Sequence, residues 1–258
     1  MKYSMCTTWA KDKTLEEVLK IAKELGMDGI ELWSGHVDGF LESGRSLEDL
    51  TDLLKTYDLE CVVIAPYLNL IDKSIQSENL ALARKCIGYA SALHCPVVRV
   101  FLGDKGSSEV IKDEWMCCFE ALRMLGEDAQ KEGVSLGIEA HYYHPSDTIH
   151  SILRILRAVQ SPAVGLIFDG FNFYPSGLEM MDAYEALKQY SIHYHFKNLL
   201  WAPHICVPLD EGDVDFHPLV CELKKDGYDG YISFEYFGDN APELIRKSKE
   251  WFCKVYEG

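Results

Sequence analysis

The stretch VSLGIEAHYYHP closes a short apolar run with a carboxylate, Glu139, and sets a histidine, His141, two positions later. Proteins normally bury such runs, and a buried carboxylate is costly unless its charge is compensated. Three later runs carry polar residues at the same place: VGLIFDG has Asp169, IHYHFKN has His195 and Lys197, and GYISFEYF has Glu235. Three carboxylates in a low-dielectric site push one another toward protonation unless a cation sits among them. Three carboxylate oxygens and one imidazole nitrogen form a hard, mixed donor set, which favours Mn²⁺ and also accepts Mg²⁺, Co²⁺ or Zn²⁺. The expectation is one divalent metal ion held by Glu139, Asp169, His195 and Glu235. The rival reading is a hydrogen-bonded network of the same residues without metal.

These residues meet only if the elements that carry them converge. Short apolar or β-branched runs alternate with longer amphipathic ones along the chain. Eight read as strands: YSMCTT, GIELW, CVVIAP, VVRVFLG, SLGIEAH, VGLIFDG, IHYHFKN and GYISFEYF. Eight read as helices, from TLEEVLKIAKELG, SLEDLTDLLKTYD and ENLALARKCIGYASALH through DEWMCCFEALRMLGEDAQKEG and DTIHSILRILRAVQ to MDAYEALKQY, FHPLVCELKKDG and APELIRKSKEWFCKVYEG. Thr14, Ser46, Asp113 and Asp147 stand where N-caps belong, and Gly26, Gly133 and Gly227 where helices end. Eight alternating units in 258 residues predict an α/β fold, a single-domain (β/α)₈ TIM barrel over residues 1–258. A doubly wound open sheet is the runner-up.

Side chains alternate across a strand. Glu139 and His141 therefore share a face with Gly137, and Asp169 shares one with Gly165 and Ile167. His193, His195 and Lys197 lie together, as do Ser233 and Glu235. In a barrel that polar face points into the bore, and the four strand ends meet at its C-terminal mouth, where barrel active sites lie.

Composition narrows the partner. A net charge of -16 repels polyanions, so nucleic acid and anionic membrane are excluded as expected partners and a small molecule is favoured. The N-terminus lacks a signal-peptide core, and no apolar run reaches membrane-spanning length, so a cytoplasmic protein is expected. Nine cysteines without CxxC spacing read as reduced structural thiols. No GxGxxG, GxSxG or P-loop motif points to another enzyme class.

The motifs DGIELW, SLGIEAH, VGLIFDGFN, YHFKN and GDVDFHPLVCELKKDGYDGYISFE resemble those of the xylose isomerase-like barrels, the sugar phosphate isomerase/epimerase superfamily, over essentially the whole chain. The resemblance implies the same four ligands, Glu139, Asp169, His195 and Glu235. Two positions depart from the family's pattern: Asn172 stands where relatives commonly have histidine, and Asn198 follows Lys197 where an aspartate is frequent. The superfamily's DNA-repair endonucleases need extra histidines on the third and fourth strands, which end here in APYLNL and RVFLG without one.

Polarised by a cation, the C–H beside a carbonyl becomes acidic enough for a carboxylate to take. The expected activity is thus a metal-dependent isomerase or epimerase acting on a ketose, keto-inositol or related sugar, with Glu139 and Glu235 as acid and base. A lyase of the same fold is the alternative, and a non-catalytic sugar-binding barrel the reading from another class. Lys197, His141, Asn172, Arg99 and Trp9 are the expected substrate contacts. Arg99 and Glu31 also face inward, where an ion pair supporting the site is expected as readily as substrate binding, and His193 is expected to be a core histidine. Trp33, Tyr67 and Trp201 follow other strands and offer rings to a sugar. The long segment LLWAPHICVPLDEGDVDF is expected to cover the mouth as a lid. A homo-oligomer is left open.

Overall fold

Eight short runs pair side by side in parallel, and the last pairs back with the first, which leaves no sheet edge unpaired. The computed structural model describes every residue from Met1 to Gly258. In chain order its strands are β1 (Lys2–Cys6), β2 (Gly29–Trp33), β3 (Glu60–Ala65), β4 (Val97–Val100), β5 (Ser135–Glu139), β6 (Val164–Asp169), β7 (Ser191–Phe196), β8 (Asn198–Leu200), β9 (Ile205–Val207) and β10 (Tyr231–Phe234). The barrel closes in the order β1, β10, β7, β6, β5, β4, β3, β2, while β8 and β9 form a separate antiparallel hairpin. This is the expected TIM barrel.

Nine α-helices surround it, not eight: α1 (Leu15–Glu24), α2 (Ser34–Glu42), α3 (Leu47–Thr56), α4 (Gln76–Ala92), α5 (Lys112–Glu132), α6 (Ile149–Val159), α7 (Met180–Leu187), α8 (His217–Lys225) and α9 (Ala241–Glu257). The additional helix is α2, whose sequence SGHVDGFLE carries two glycines and reads as loop. Tertiary contacts override that preference. Val37 and Phe40 are buried, and the His36 ring bonds Thr7 Oγ1 at 3.0 Å and the Ala10 carbonyl at 2.9 Å. No helix is long and apolar enough to cross a membrane.

Local signals set the helix ends. Thr14 and Ser46 cap α1 and α3 through reciprocal bonds with Glu17 and Asp49. Gly26, Gly133 and Gly227 take left-handed φ angles of 65°, 70° and 69°. Two expected caps are corrected. Asp113 lies inside the first turn of α5, which follows Ile111, and Thr148 rather than Asp147 caps α6. Asp147 instead accepts a hydrogen bond from the Ser107 amide at 3.0 Å.

The apolar residues divide into two unequal groups. Leu136, Ile138, Leu166, Phe168, Ile232 and Phe234 belong to a 69-residue shell between strands and helices, whereas Val62, Val63, Val97 and Ile167 form a separate cluster of only four. Most hydrophobic stabilisation therefore lies in the shell, and the bore is free to hold charge. Gly137 makes room for the inner cluster, because a Cβ there would fall 2.6 Å from Ile167 Cγ1. Ile167, paired with Glu139 in register, occupies that space below the polar mouth.

Candidate metal centre and active site

The strand ends bring the four expected ligands together. Glu139 ends β5, Asp169 ends β6, His195 lies opposite Asp169 on β7, and Glu235 immediately follows β10. Each offers a ligand atom, and these atoms lie within 4.8 Å of one another, all buried.

Hydrogen bonds aim this cluster. His195 Nε2 donates to Glu31 Oε2 at 2.8 Å, which leaves the Nδ1 lone pair toward the carboxylates, 3.7 Å from Glu139 Oε1 and 3.8 Å from Glu235 Oε2. Asp169 Oδ1 accepts from the Phe171 amide at 3.1 Å. Lys197 Nζ donates to Asp169 Oδ2 at 2.5 Å and to Glu235 Oε2 at 2.6 Å. Arg99 Nη1 lies 3.1 Å from Glu139 Oε2, 3.3 Å from Glu235 Oε1 and 3.8 Å from Glu31 Oε1.

Two features fit a divalent cation. Both Glu139 oxygens and His195 Nδ1 are buried and have no hydrogen-bond partner, so the atoms best suited to ligation are those left unsatisfied. With His195 neutral, the four carboxylates Glu31, Glu139, Asp169 and Glu235 face two fixed cations, Arg99 and Lys197. One divalent ion balances the difference.

Burial and neighbouring charges perturb these groups. Burial pushes Glu139 up, but Arg99 and then His195 outweigh it and hold the carboxyl well below its usual range. Burial likewise opposes the charge on Glu31, yet His195 and Arg99 bring it down to about 2. Burial drives Asp169 up to about 6 against the pull of Lys197. His195 is held above the usual imidazole range, Glu31 overcoming the burial that opposes its charge. Metal binding at this cage must therefore displace a proton.

The remaining expected residues separate into groups. Arg99, Glu139, His141 and Glu235 line one cavity of about 340 Å³, while His141 and Lys197 line a second of about 510 Å³. The two share His141 and Phe237 as a common wall. Burial lowers the His141 pKa and keeps the ring neutral. Trp9 and Asn172 line neither cavity. Trp9 sits half-buried in the short turn Thr8–Ala10, and Asn172 Nδ2 donates to the Ala140 carbonyl at 2.9 Å, tying the start of the β6 loop to the end of β5.

Lys197 is only 3% exposed and engaged by two carboxylates, so it braces the cage as well as lining the cavity. The Arg99–Glu31 contact is the longest of the three that Arg99 makes, and the close partner of Glu31 is His195. His193 is a core histidine as expected: it lies 2.7 Å from Ser233 Oγ, and burial lowers its pKa to about 3.

The segment after β7 forms the β8–β9 hairpin, and Leu199, His204, Ile205 and Cys206 wall the larger cavity. Asn198 anchors it, donating from Nδ2 to the Leu209 and Val214 carbonyls at 2.8 and 2.7 Å. Sequence reasoning missed Phe101, His144 and Phe237 as cavity residues. The only local signal was their nearness to strand ends; the Phe101 and His144 rings pack 4.6 Å apart, and Phe237, 44% exposed, borders both cavities.

With this geometry in hand, comparison with known proteins is informative. The chain is 27% identical over 272 residues to a 3-dehydroshikimate dehydratase of Bacillus anthracis, covering 95% of this chain and 94% of that protein. A crystal structure of a probable 3-DHS dehydratase from the same organism matches with a TM-score of 0.87 at 26% identity, over 97% of this chain and 98% of that one. A fructoselysine 3-epimerase of Shigella flexneri is 24% identical over 248 residues, covering 91% and 90% of the two chains. The crystal structure of IOLI protein with a binding zinc atom shares the fold, with a TM-score of 0.82 at 21% identity over 100% of this chain and 98% of that one. The family model for the xylose isomerase-like TIM barrel matches residues 19–255, and the chain belongs to that family.

Proposed function

We propose that this protein is a divalent-metal-dependent enzyme that removes a proton from the carbon beside a carbonyl of a polyhydroxylated substrate and returns it to give an isomer or epimer. The substrate is a ketose, a keto-inositol or a related sugar. The observation that carries this reading is the cage of Glu139, Asp169, His195 and Glu235, with its unsatisfied atoms, beside a cavity that Glu139 and Glu235 both line. When bound there, a divalent ion supplies the Lewis acidity that makes the C–H acidic and steadies an enediolate; Mn²⁺ suits the donor set best, with Mg²⁺, Co²⁺ and Zn²⁺ as alternatives.

The chain's own residues move the proton. One of Glu139 and Glu235 takes it and the other gives it back, to the opposite face of the same carbon for epimerisation or to the adjacent carbon for isomerisation. Arg99 Nη1 touches both glutamates and fixes their separation. Neutral His141, on the wall between the cavities, exchanges a hydrogen bond with a substrate hydroxyl.

A second reading is favoured by the similarity to the Bacillus anthracis dehydratase. There the same proton removal is followed by loss of the β-hydroxyl. The hydroxyl leaves as water with the abstracted proton, and an unsaturated ketone remains.

Incubation with a panel of ketoses, keto-inositols and cyclic keto acids in deuterated solvent tests both. An isomer or epimer carrying one carbon-bound deuterium supports the first reading. An unsaturated product without isomer supports the second, and absence of any turnover or exchange across the panel contradicts both.

A further inference from the structure

Lys197 and Glu235 meet at the edge of the cage, Nζ to Oε2, at 2.6 Å. They stand side by side because β7 and β10 pair Phe196 with Phe234, and the Glu235 amide donates to the Phe196 carbonyl at 3.0 Å. Each is followed by a fully buried residue, Asn198 and Tyr236, whose polar group bonds to parts of the chain outside the cage.

The Asn198 side chain is saturated. Nδ2 donates to the Leu209 and Val214 carbonyls, and Oδ1 accepts from the Leu199 and Val214 amides at 3.0 and 3.3 Å. Two carbonyls on one side and two amides on the other fix which way the side chain points. A carboxylate would accept from the same two amides but set its second oxygen against both carbonyls. The loop closes so tightly here that a Cβ at Gly212 would fall 2.2 Å from Asn198 Cγ. Leu209 carries the connection onward: its amide donates to Ser248 Oγ of α9 at 3.2 Å, and that oxygen lies 2.7 Å from the Tyr236 hydroxyl. Every polar side-chain atom of Asn198, Tyr236 and Ser248 has a partner, in contrast to the cage with its unsatisfied atoms. The path from Lys197 through Asn198, Leu209, Ser248 and Tyr236 to Glu235 is thus a circuit that the Lys197–Glu235 contact closes.

We propose that Asn198 is a positioning residue, which through this circuit holds Lys197 against Glu235 and so fixes the Glu235 carboxylate in the cage. The same four bonds pin the foot of the β8–β9 hairpin that walls the larger cavity. The inference rests on the metal-dependent reading above, because the group being positioned is one of its ligands. A buried network in which every member is satisfied is rigid, and cutting one bond leaves the partners unmet.

Two variants cut the circuit at different points. Asn198→Asp keeps the shape and the two accepted bonds but loses both donated ones, whereas Tyr236→Phe removes only the link to Ser248. Mn²⁺ affinity is measured by chelator competition, and amide hydrogen exchange of residues 198–214 is followed in the metal-free protein. Asn198→Asp is expected to weaken Mn²⁺ binding by about tenfold and to quicken that exchange by about tenfold or more. For Tyr236→Phe the expected loss of Mn²⁺ affinity is about two- to tenfold. The visible spectrum of Co²⁺-loaded protein reports the ligand field, which a mere loss of stability does not move, and both variants are expected to shift it. Thr14→Ala, far from the mouth, is the control for lost stability and should leave both metal readouts unchanged.

Wild-type Mn²⁺ affinity and Co²⁺ spectrum in folded Asn198→Asp and Tyr236→Phe would overturn the inference and leave the metal reading standing, since the network would then only pin the hairpin. Should Asn198→Asp fail to fold, Tyr236→Phe decides alone. A wild type that binds no Mn²⁺ overturns the metal reading and this inference with it.

Discussion

The two sides of the barrel mouth carry different kinds of residue. β5, β6, β7 and β10 bring Glu139, Asp169, His195 and Glu235, whose oxygen and nitrogen atoms converge. β2 and β4 bring Glu31 and Arg99, which touch that set from beside it: one orients the imidazole, the other spans two glutamates. Under the proposed function, the difference separates ligation from aiming and charge balance. A side chain that offers a lone pair to a cation is irreplaceable, whereas one that orients it only changes how well the pair is presented.

That contrast can be broken by substitution. On the ligand side, Glu139→Ala or Asp169→Ala removes one donor, and metal affinity is expected to fall by more than the ~10–100-fold typical of an outer partner. Turnover should fall with it. On the supporting side, Glu31→Gln keeps the shape but weakens the hold on His195 Nε2, and the expected loss of metal affinity is ~10–100-fold in a chelator competition. Equal effects of Glu31→Gln and Glu139→Ala would erase the division between the two sides.

A pH titration sharpens the contrast. Burial places the Asp169 pKa at about 6, and a proton there competes with the cation. Metal affinity should therefore decline as pH falls through 6, on top of the decline that begins at higher pH where His195 takes up its proton. A flat profile from pH 7 to 5 would remove Asp169 from the ligand set. The smallest effect belongs far from the mouth. Thr14→Ala removes the α1 cap, and a loss of ~1 kcal/mol in unfolding free energy with unchanged metal affinity is expected.

The ligand side was legible in the sequence because strand alternation is local. Glu139, Asp169, His195 and Glu235 each sit at the polar phase of a short apolar run, and once eight such runs imply a closed barrel their convergence follows. The supporting side was only half legible. Alternation turned Glu31 and Arg99 inward, but which carboxylate each would meet depends on strand tilt and register, which a single chain does not encode locally. Lys197 shows the same limit, as its spacing from His195 predicts the face but not its burial between Asp169 and Glu235. Helix α2 escaped notice because Gly35 and Gly39 lower its helical preference, while its stability comes from buried Val37, Phe40 and His36. Asn172 shows a related limit: its Nδ2 donates to the Ala140 carbonyl, a contact between neighbouring strand ends that its spacing does not reveal.

The central claim is that Glu139 ends a buried strand because the cage it completes holds a cation. Elemental analysis of protein purified without chelators, for wild type, Glu139→Ala and His195→Ala, tests it most directly. About one divalent ion per chain in the wild type, absent from both folded variants, is the predicted result. A wild type that holds no metal even after incubation with Mn²⁺ would contradict the account.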